Sequence, residues 1–151
     1  MSQLFFSDYH SIDYDACLSL FDSNCPDAFH PAERLDFEAF LLDLPGPYLL
    51  LHHQKHGLIG CGGYAYHKKN HSADLCWGMI HSTYQRQGFG TALLQERLAR
   101  IRLNPEIESV SLCTAPDTVA YYHRFNFQIQ QTIKDGFAPG ADRIDMAMAL
   151  A

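Results

Sequence analysis

Apolar residues recur along this chain in two rhythms, and the changes of rhythm predict its elements. Residues 4–9 make a first strand. Asp13 then stands as N-cap of a helix striped by Ala16, Cys17, Leu20 and Phe21, broken at Asn24-Cys25-Pro26-Asp27. A second helix starts near Pro31, carries Glu33 and Asp36 early, and runs through Phe37, Phe40 and Leu41 to a stop at Pro45-Gly46-Pro47. Residues 48–53 and 58–67 read as a hairpin around Lys55-His56-Gly57. Gly60, Gly62 and Gly63 inside its second strand predict a bulge or a close backbone approach.

A polar run, Lys68 to Ser72, turns into Leu75-Cys76-Trp77-Gly78-Met79-Ile80, a short apolar stretch that suits a buried strand. Next comes a helix over 91–100, with Ala92, Leu93, Leu94, Leu98 and Ile101 on one stripe. Asn104-Pro105 breaks the chain, 109–114 is a strand, and Asp117 caps a short helix over 118–125. Two closing strands, 127–132 and 144–150, flank a loop from Lys134 to Asp142. The order is β-α-α-β-β-β-α-β-α-β-β, one domain over residues 1–151. Its fold class is α/β, a mixed sheet with helices on both faces.

The chemistry concentrates between the buried strand and the helix after it, in Gln85-Arg86-Gln87-Gly88-Phe89-Gly90. Glycines there let the backbone turn tightly, and the helix start offers unpaired N–H groups and partial positive charge to a phosphate. The triphosphate loop Gly-x-x-x-x-Gly-Lys-Ser/Thr is excluded, because no lysine follows. The dinucleotide fingerprint lacks its third glycine, where Leu93 stands. What remains is Gln/Arg-x-x-Gly-x-Gly/Ala, here Gln85-x-x-Gly88-x-Gly90, or else an ordinary tight strand-to-helix turn.

In that form the stretch resembles the acyl-CoA-binding motif of the GNAT superfamily of N-acetyltransferases. The element order resembles the GNAT-type fold over nearly the whole chain. The resemblance implies acetyl-CoA as cosubstrate, its pyrophosphate against the N–H groups of Arg86, Gln87, Gly88, Phe89, Gly90 and Thr91, with the Gln85 and Arg86 side chains adding contacts. It implies a strand that splays from its neighbour, so that Gly78, Met79 and Ile80 pair with the pantetheine arm and one of their N–H groups polarises the thioester carbonyl. Plain strand pairing is the other reading of those three residues.

The same resemblance places a proton donor at Tyr122, within Ala120-Tyr121-Tyr122-His123-Arg124-Phe125-Asn126-Phe127. A phenol near the departing sulfur supplies its proton. Tyr121 reads as a core aromatic. Asn126 replaces the family's glycine and tolerates the left-handed turn needed there. An amine arrives protonated and needs a base, for which Asp74 is the candidate, acting through water because Asp is shorter than the Glu of related enzymes. Glu33, His30 and His81 are alternatives. A solvent-facing role for Asp74 is equally compatible with its place at the strand start. His52 and His53 point to opposite faces of a strand and cannot converge with His56 on a metal, so no metal is expected. Cys113 and Cys25 lack a paired base for nucleophilic work. Acceptor contacts are expected from residues 24–40 and from the closing loop, including Phe29, Phe137, Asp27, Glu33 and Asp135.

Composition narrows the setting. A hydrophobic fraction of 47% with 19% charged residues is that of a globular chain. A net charge of −6 and the lack of a basic block argue against nucleic acid and suit a cationic amine acceptor. No signal peptide or membrane span is read. Five cysteines without a C-x-x-C pair suit a reducing, cytoplasmic setting. An exposed strand after the closing loop is a possible homodimer edge. The competing function is an acyl-CoA-binding sensor or interaction module that kept the fold without the chemistry. Its support is the lack of a Glu on the strand after the loop and the Asn at position 126.

Overall fold

Strand β1 (Leu4–Asp8) leads to α1 (Tyr14–Ser23) and α2 (Arg34–Leu42), followed by β2 (Tyr48–His53), β3 (Gly57–His67) and β4 (Ser72–Ile80). Then come α3 (Phe89–Arg102), β5 (Ser109–Thr114), α4 (Val119–His123), β6 (Gln128–Ala138) and β7 (Ala141–Ala149), the expected order throughout. These assignments come from a computed structural model that describes residues 3–150. Met1, Ser2 and Ala151, which the N-terminal and single-domain readings include, lie outside the described residues.

Seven strands form one sheet in the order β1-β2-β3-β4-β5-β7-β6. All pairs are antiparallel except β4 with β5. Alternate residues of β2 send Leu50 and Leu51 to opposite faces, and each face is covered by helices. On one side Cys17, Leu18, Phe21, Phe37 and Leu41 of α1 and α2 pack on Tyr48, Leu50, Cys61 and Met79. On the other, Leu94, Leu98 and Ile101 of α3 pack with Val110, Leu112, Phe127 and Met146, joined by the aromatics of α4. Among the described residues no helix is long and apolar enough to cross a membrane.

Asp13 stands at the N-cap of α1, as expected, but a 3-10 turn, Ser11–Asp13, leads into the helix, and the Asp13 carboxylate accepts from the His10 N–H at 2.9 Å rather than from the helix. Likewise α4 is entered through the turn Pro116–Thr118, with Thr118 and not Asp117 at its N-cap. The loop 134–142 is mostly strand, because β6 and β7 form one long hairpin turning at Pro139-Gly140, with Gly140 at φ 81°. The register slips between Ile133 and Ala138, and residues 134–137 bulge out of the ladder. That hairpin also moves the sheet edge. β7, the strand after the loop, lies inside between β5 and β6, and β6 is the edge at that end of the sheet.

Phe37 sits at the centre of the aromatic packing, fully buried, with ring centroids 5.6 Å from Phe21 and 5.0 Å from Trp77. Phe37→Ala is expected to cost about 3–5 kcal/mol of stability. Trp77 is the sole tryptophan, so the loss is read directly as a lower denaturant midpoint in its fluorescence.

Candidate active site

β4 and β5 are joined over only three register pairs, Ser72–Ser109, Ala73–Val110 and Asp74–Ser111. Beyond Asp74 they part, and from residue 75 to 80 the edge of β4 that faced β5 has no strand beside it. A bulge widens the gap. β3 pairs Cys61 with Met79 and then Gly63 with Cys76, leaving Gly62 opposite both Trp77 and Gly78. Trp77 takes the left-handed conformation (φ 41°), and its side chain lies among Phe21, Phe29, Phe37 and Phe40 on the α1/α2 face. The Tyr48 hydroxyl donates to its carbonyl at 2.8 Å and holds the bulge in place. Gly78, next in line, is exposed in the opening.

Two clefts meet there. The smaller, about 450 Å³, runs along Gly78, Met79 and Ile80 to Gln85, Arg86, Gly88, Gly90 and Thr91. At its far end α3 begins with Gly88 as N-cap, at φ 87° and without a side-chain cap. Arg86 is also left-handed, at φ 63°. The first N–H groups of a 14-residue helix therefore face the cleft free of any side-chain acceptor, an arrangement suited to an anion. The Thr91 hydroxyl, at the first turn, shares a hydrogen bond of 2.7 Å with Tyr121.

The Gln85 side chain turns inward. Its amide donates to Asn24 Oδ1 and, at 3.1 Å, to the Ile80 carbonyl. Asn24, 3% exposed, donates to the same carbonyl and to that of Leu20, each at 3.0 Å. This amide pair ties the end of α1, the end of β4 and the glycine loop together. Sequence reasoning read Asn24 as a helix breaker at the start of the acceptor region and did not foresee this tie.

The larger cleft, about 1310 Å³, opens between the split strands, α2 and the β6–β7 hairpin. Tyr122 lines both clefts at their junction. Burial pushes its phenol up, and Arg97 pulls it back down. Asn126 is left-handed at φ 71°, as expected, and the turn seats Phe127 in the core. Asp74 lies at the fork where β4 leaves β5. One carboxylate oxygen accepts from the Ser111 hydroxyl and the other bonds His67 Nε2. Neither partner was singled out from sequence, because β3 and β5 bring them in from outside the local pattern.

Glu33 lines the same cleft, is 7% exposed, and burial pushes its carboxyl up. His30 is a cleft neighbour whose Nδ1 accepts from Ala32 N–H, while His81 is used as a turn cap for Thr83 N–H. Phe29 lines both clefts, stacked 4.9 Å from Phe21, whereas Phe37 is core. Burial and a hydrogen bond to Asp145 push the Cys113 thiol up to about 11, and burial also raises Cys25, so neither is poised as a thiolate. Tyr121 does more than fill core: it walls the smaller cleft and ties α4 to α3. His52 stacks on Phe5 while His53 stacks on His56, on opposite faces, and no metal-binding cluster occurs among the described residues. Arg97, absent from the sequence reading, is 4% exposed and lines both clefts.

The sequence profile of the Acetyltransferase (GNAT) family matches residues 14–127, three-quarters of the chain, and the chain belongs to that family. No curated protein sequence matches it significantly. Among solved structures it is similar to a GNAT-family protein from Desulfovibrio desulfuricans, with TM-score 0.81 and 18% identity over 98% of this chain and 99% of that one. It is similar to the ribosomal-protein-S18-alanine N-acetyltransferase of Escherichia coli, with TM-score 0.78 and 17% identity over 98% and 94%. A dodecameric spermidine N-acetyltransferase from Vibrio cholerae shares the fold at TM-score 0.75 and 16% identity, covering 99% and 95%. The class of protein is a GNAT-family acetyltransferase.

Asn24→Ala is expected to leave the Ile80 carbonyl with one donor fewer and to free the glycine loop. Stability should drop by about 1–3 kcal/mol. Amide exchange across residues 85–90 should quicken in the same variant, while exchange in β6 and β7 stays unchanged.

Proposed function

We propose that this protein transfers the acetyl group of acetyl-CoA to a primary amine by direct attack. The observation that carries this reading is the continuous path from the uncapped start of α3, along the open edge of β4, to Tyr122. The N–H groups from Arg86 to Thr91, Gln87 and Phe89 included, hold the pyrophosphate. The pantetheine arm lies along Gly78, Met79 and Ile80, and a backbone N–H of that edge receives the oxyanion. The amine enters through the larger cleft and attacks the carbonyl carbon. Collapse of the tetrahedral intermediate breaks the C–S bond, and Tyr122 gives its proton to the sulfur. Burial keeps that phenol protonated at neutral pH.

Asp74 takes the amine's proton through water, with His67 and Ser111 fixing its carboxylate. Glu33 supplies a second, more buried carboxylate on the opposite wall. The acceptor is cationic. Asp27, Glu33, Asp36, Asp74, Asp117 and Asp142 surround the cleft, while Arg143 is spent on Asp145 at 2.8 Å. Five free thiols suit a reducing, cytoplasmic setting.

Thiol release from acetyl-CoA over a panel of amines and N-terminal peptides tests the reading. Tyr122→Phe should lower kcat by about 10²–10⁴-fold while leaving acetyl-CoA affinity unchanged. In the wild type, activity should fall as pH rises through the Tyr122 pKa, because the donor must be protonated. Tight acetyl-CoA binding without turnover on any acceptor would favour the sensor reading.

The acidic cleft gives a second test. Raising ionic strength from about 0.05 M to about 0.5 M should raise KM for a dicationic amine about fivefold. KM for a monoamine should move much less. Equal responses would remove charge from acceptor selection.

A further inference from the structure

Arg97 is the charged member of the buried stripe of α3, between Leu94 and Leu98. Its guanidinium occupies space that two glycines vacate. A Cβ on Gly78 would lie 2.7 Å from Nη2 and 3.0 Å from Nη1, and one on Gly62 3.3 Å from Cζ. The glycines that marked β3 and β4 in the sequence thus serve a buried cation as well as a bulge.

That cation is poorly compensated. Among the described residues its hydrogen bonding is limited to Nη1 donating to the Gly63 carbonyl at 3.3 Å. Nε is buried without an acceptor, and no carboxylate of the described residues lies within ion-pair distance. Guanidinium does not neutralise itself by losing a proton in a protein, so the charge persists. The groups it meets electrostatically are Tyr122 first, then Tyr48, Cys76 and Cys61. All four are neutral in their ordinary state. Compensation arrives when one of them ionises.

Tyr122 is the one with a reason to do so. Tyr48 is committed to the Trp77 carbonyl, and Cys61 is fully buried beside it. Burial pushes the Cys76 thiol up to about 11. Tyr122 shares both clefts with Arg97 and Gly78, at the point where the proposed channel delivers its thioester. When its proton passes to sulfur, a buried phenolate remains until solvent reprotonates it. The other charged or titratable groups lining these clefts are Tyr121 on the same helix, Asp117 ahead of it, Arg86 in the exposed glycine loop, Asp74 and Cys76 on β4, Cys113 on β5, Asp142 and the Arg143–Asp145 pair on β7, and Asp27, His30, Glu33 and Asp36 from the α1–α2 connection and α2. None of them except Arg97 brings an unpaired positive charge to that junction from within the core.

We propose that Arg97 is a positioning residue for proton transfer, holding Tyr122 ready to release its proton by stabilising the phenolate left behind. The inference rests on the acetyl-transfer reading, but its spectroscopic test does not. Ultraviolet difference titration of wild type against Tyr122→Phe isolates the ionisation of this phenol. The same subtraction in the Arg97→Met background should place it at least one pH unit higher. Arg97→Lys, which keeps a charge, should recover part of the shift.

In turnover, Arg97→Met should lose at least tenfold in kcat, with acetyl-CoA Kd within threefold of wild type and the alkaline limb moved upward. Its melting temperature should hold or rise, since an unpaired buried charge is removed. A Tyr122 titration unmoved by Arg97→Met would overturn the proposal, as would a fall in melting temperature with the titration and pH profile intact. Tenfold tighter binding of malonyl- or succinyl-CoA than acetyl-CoA, lost in Arg97→Met, would also overturn it by making Arg97 a carboxylate receptor. A shifted titration without turnover on any amine would support the Arg97–Tyr122 coupling and sink the acetyl-transfer reading alone.

Discussion

A sheet that is continuous at one end and split at the other governs the rest of this molecule. Three register pairs hold β4 to β5, after which the strands diverge and backbone groups that a sheet would satisfy face an open channel. Unpaired backbone is costly when buried, so the gap persists only because its two sides are anchored independently. On the β4 side, β3 and the Tyr48 hydroxyl fix the bulge, and Asn24 with Gln85 takes up the Ile80 carbonyl. On the β5 side, β7 pairs with all six residues of the strand and ties it into the closing hairpin. The channel is a place where the ladder stops and a ligand's hydrogen bonds can substitute.

Around that split the two helical layers take different work. α1 and α2 bring an aromatic cluster onto Trp77, which the bulge has turned to their side, and so make one wall of the larger cleft stiff and apolar. α3 brings its uncapped N-terminus to one end of the channel and Arg97 to the other, just over two turns along the same helix. One rigid element thereby sets the distance between the glycine loop and the junction at Tyr122. The Thr91–Tyr121 bond locks α4, and with it Tyr122, to that same helix. Arg97 itself sits where an apolar side chain would pack more favourably, the pattern of a site that gives up some stability for function.

Much of this was readable from residue order. Periodicity, breakers and glycine placement located the elements, and Gln85-x-x-Gly88-x-Gly90 between a strand and a helix pointed to an anion cradle, because those signals are local and each depends on neighbours a few residues away. Asn126 before Phe127 was legible for the same reason, since left-handed geometry is a property of one residue. The caps were less so. Asp13 holds its cap position without a side-chain bond to the helix and Asp117 stands one residue before the cap of α4, because whether a helix is entered directly or through a 3-10 turn depends on how the chain arrives from the sheet.

The pairings that make the site lay beyond the sequence for a different physical reason. Asp74 meets His67 and Ser111 only because β3, β4 and β5 are neighbours in a particular register, and Arg97 lies against Gly78 only because β4 bulges beneath α3. A charged residue at a helical position reads as solvent-facing until tertiary packing supplies two glycines to receive it. Hydrophobic pattern and turn chemistry thus determined the elements, their order and the glycine turn that opens α3. The split sheet, the buried arginine and the meeting of the two clefts at Tyr122 were decided by the fold, since contacts between residues far apart in sequence cost chain entropy that only the assembled core repays.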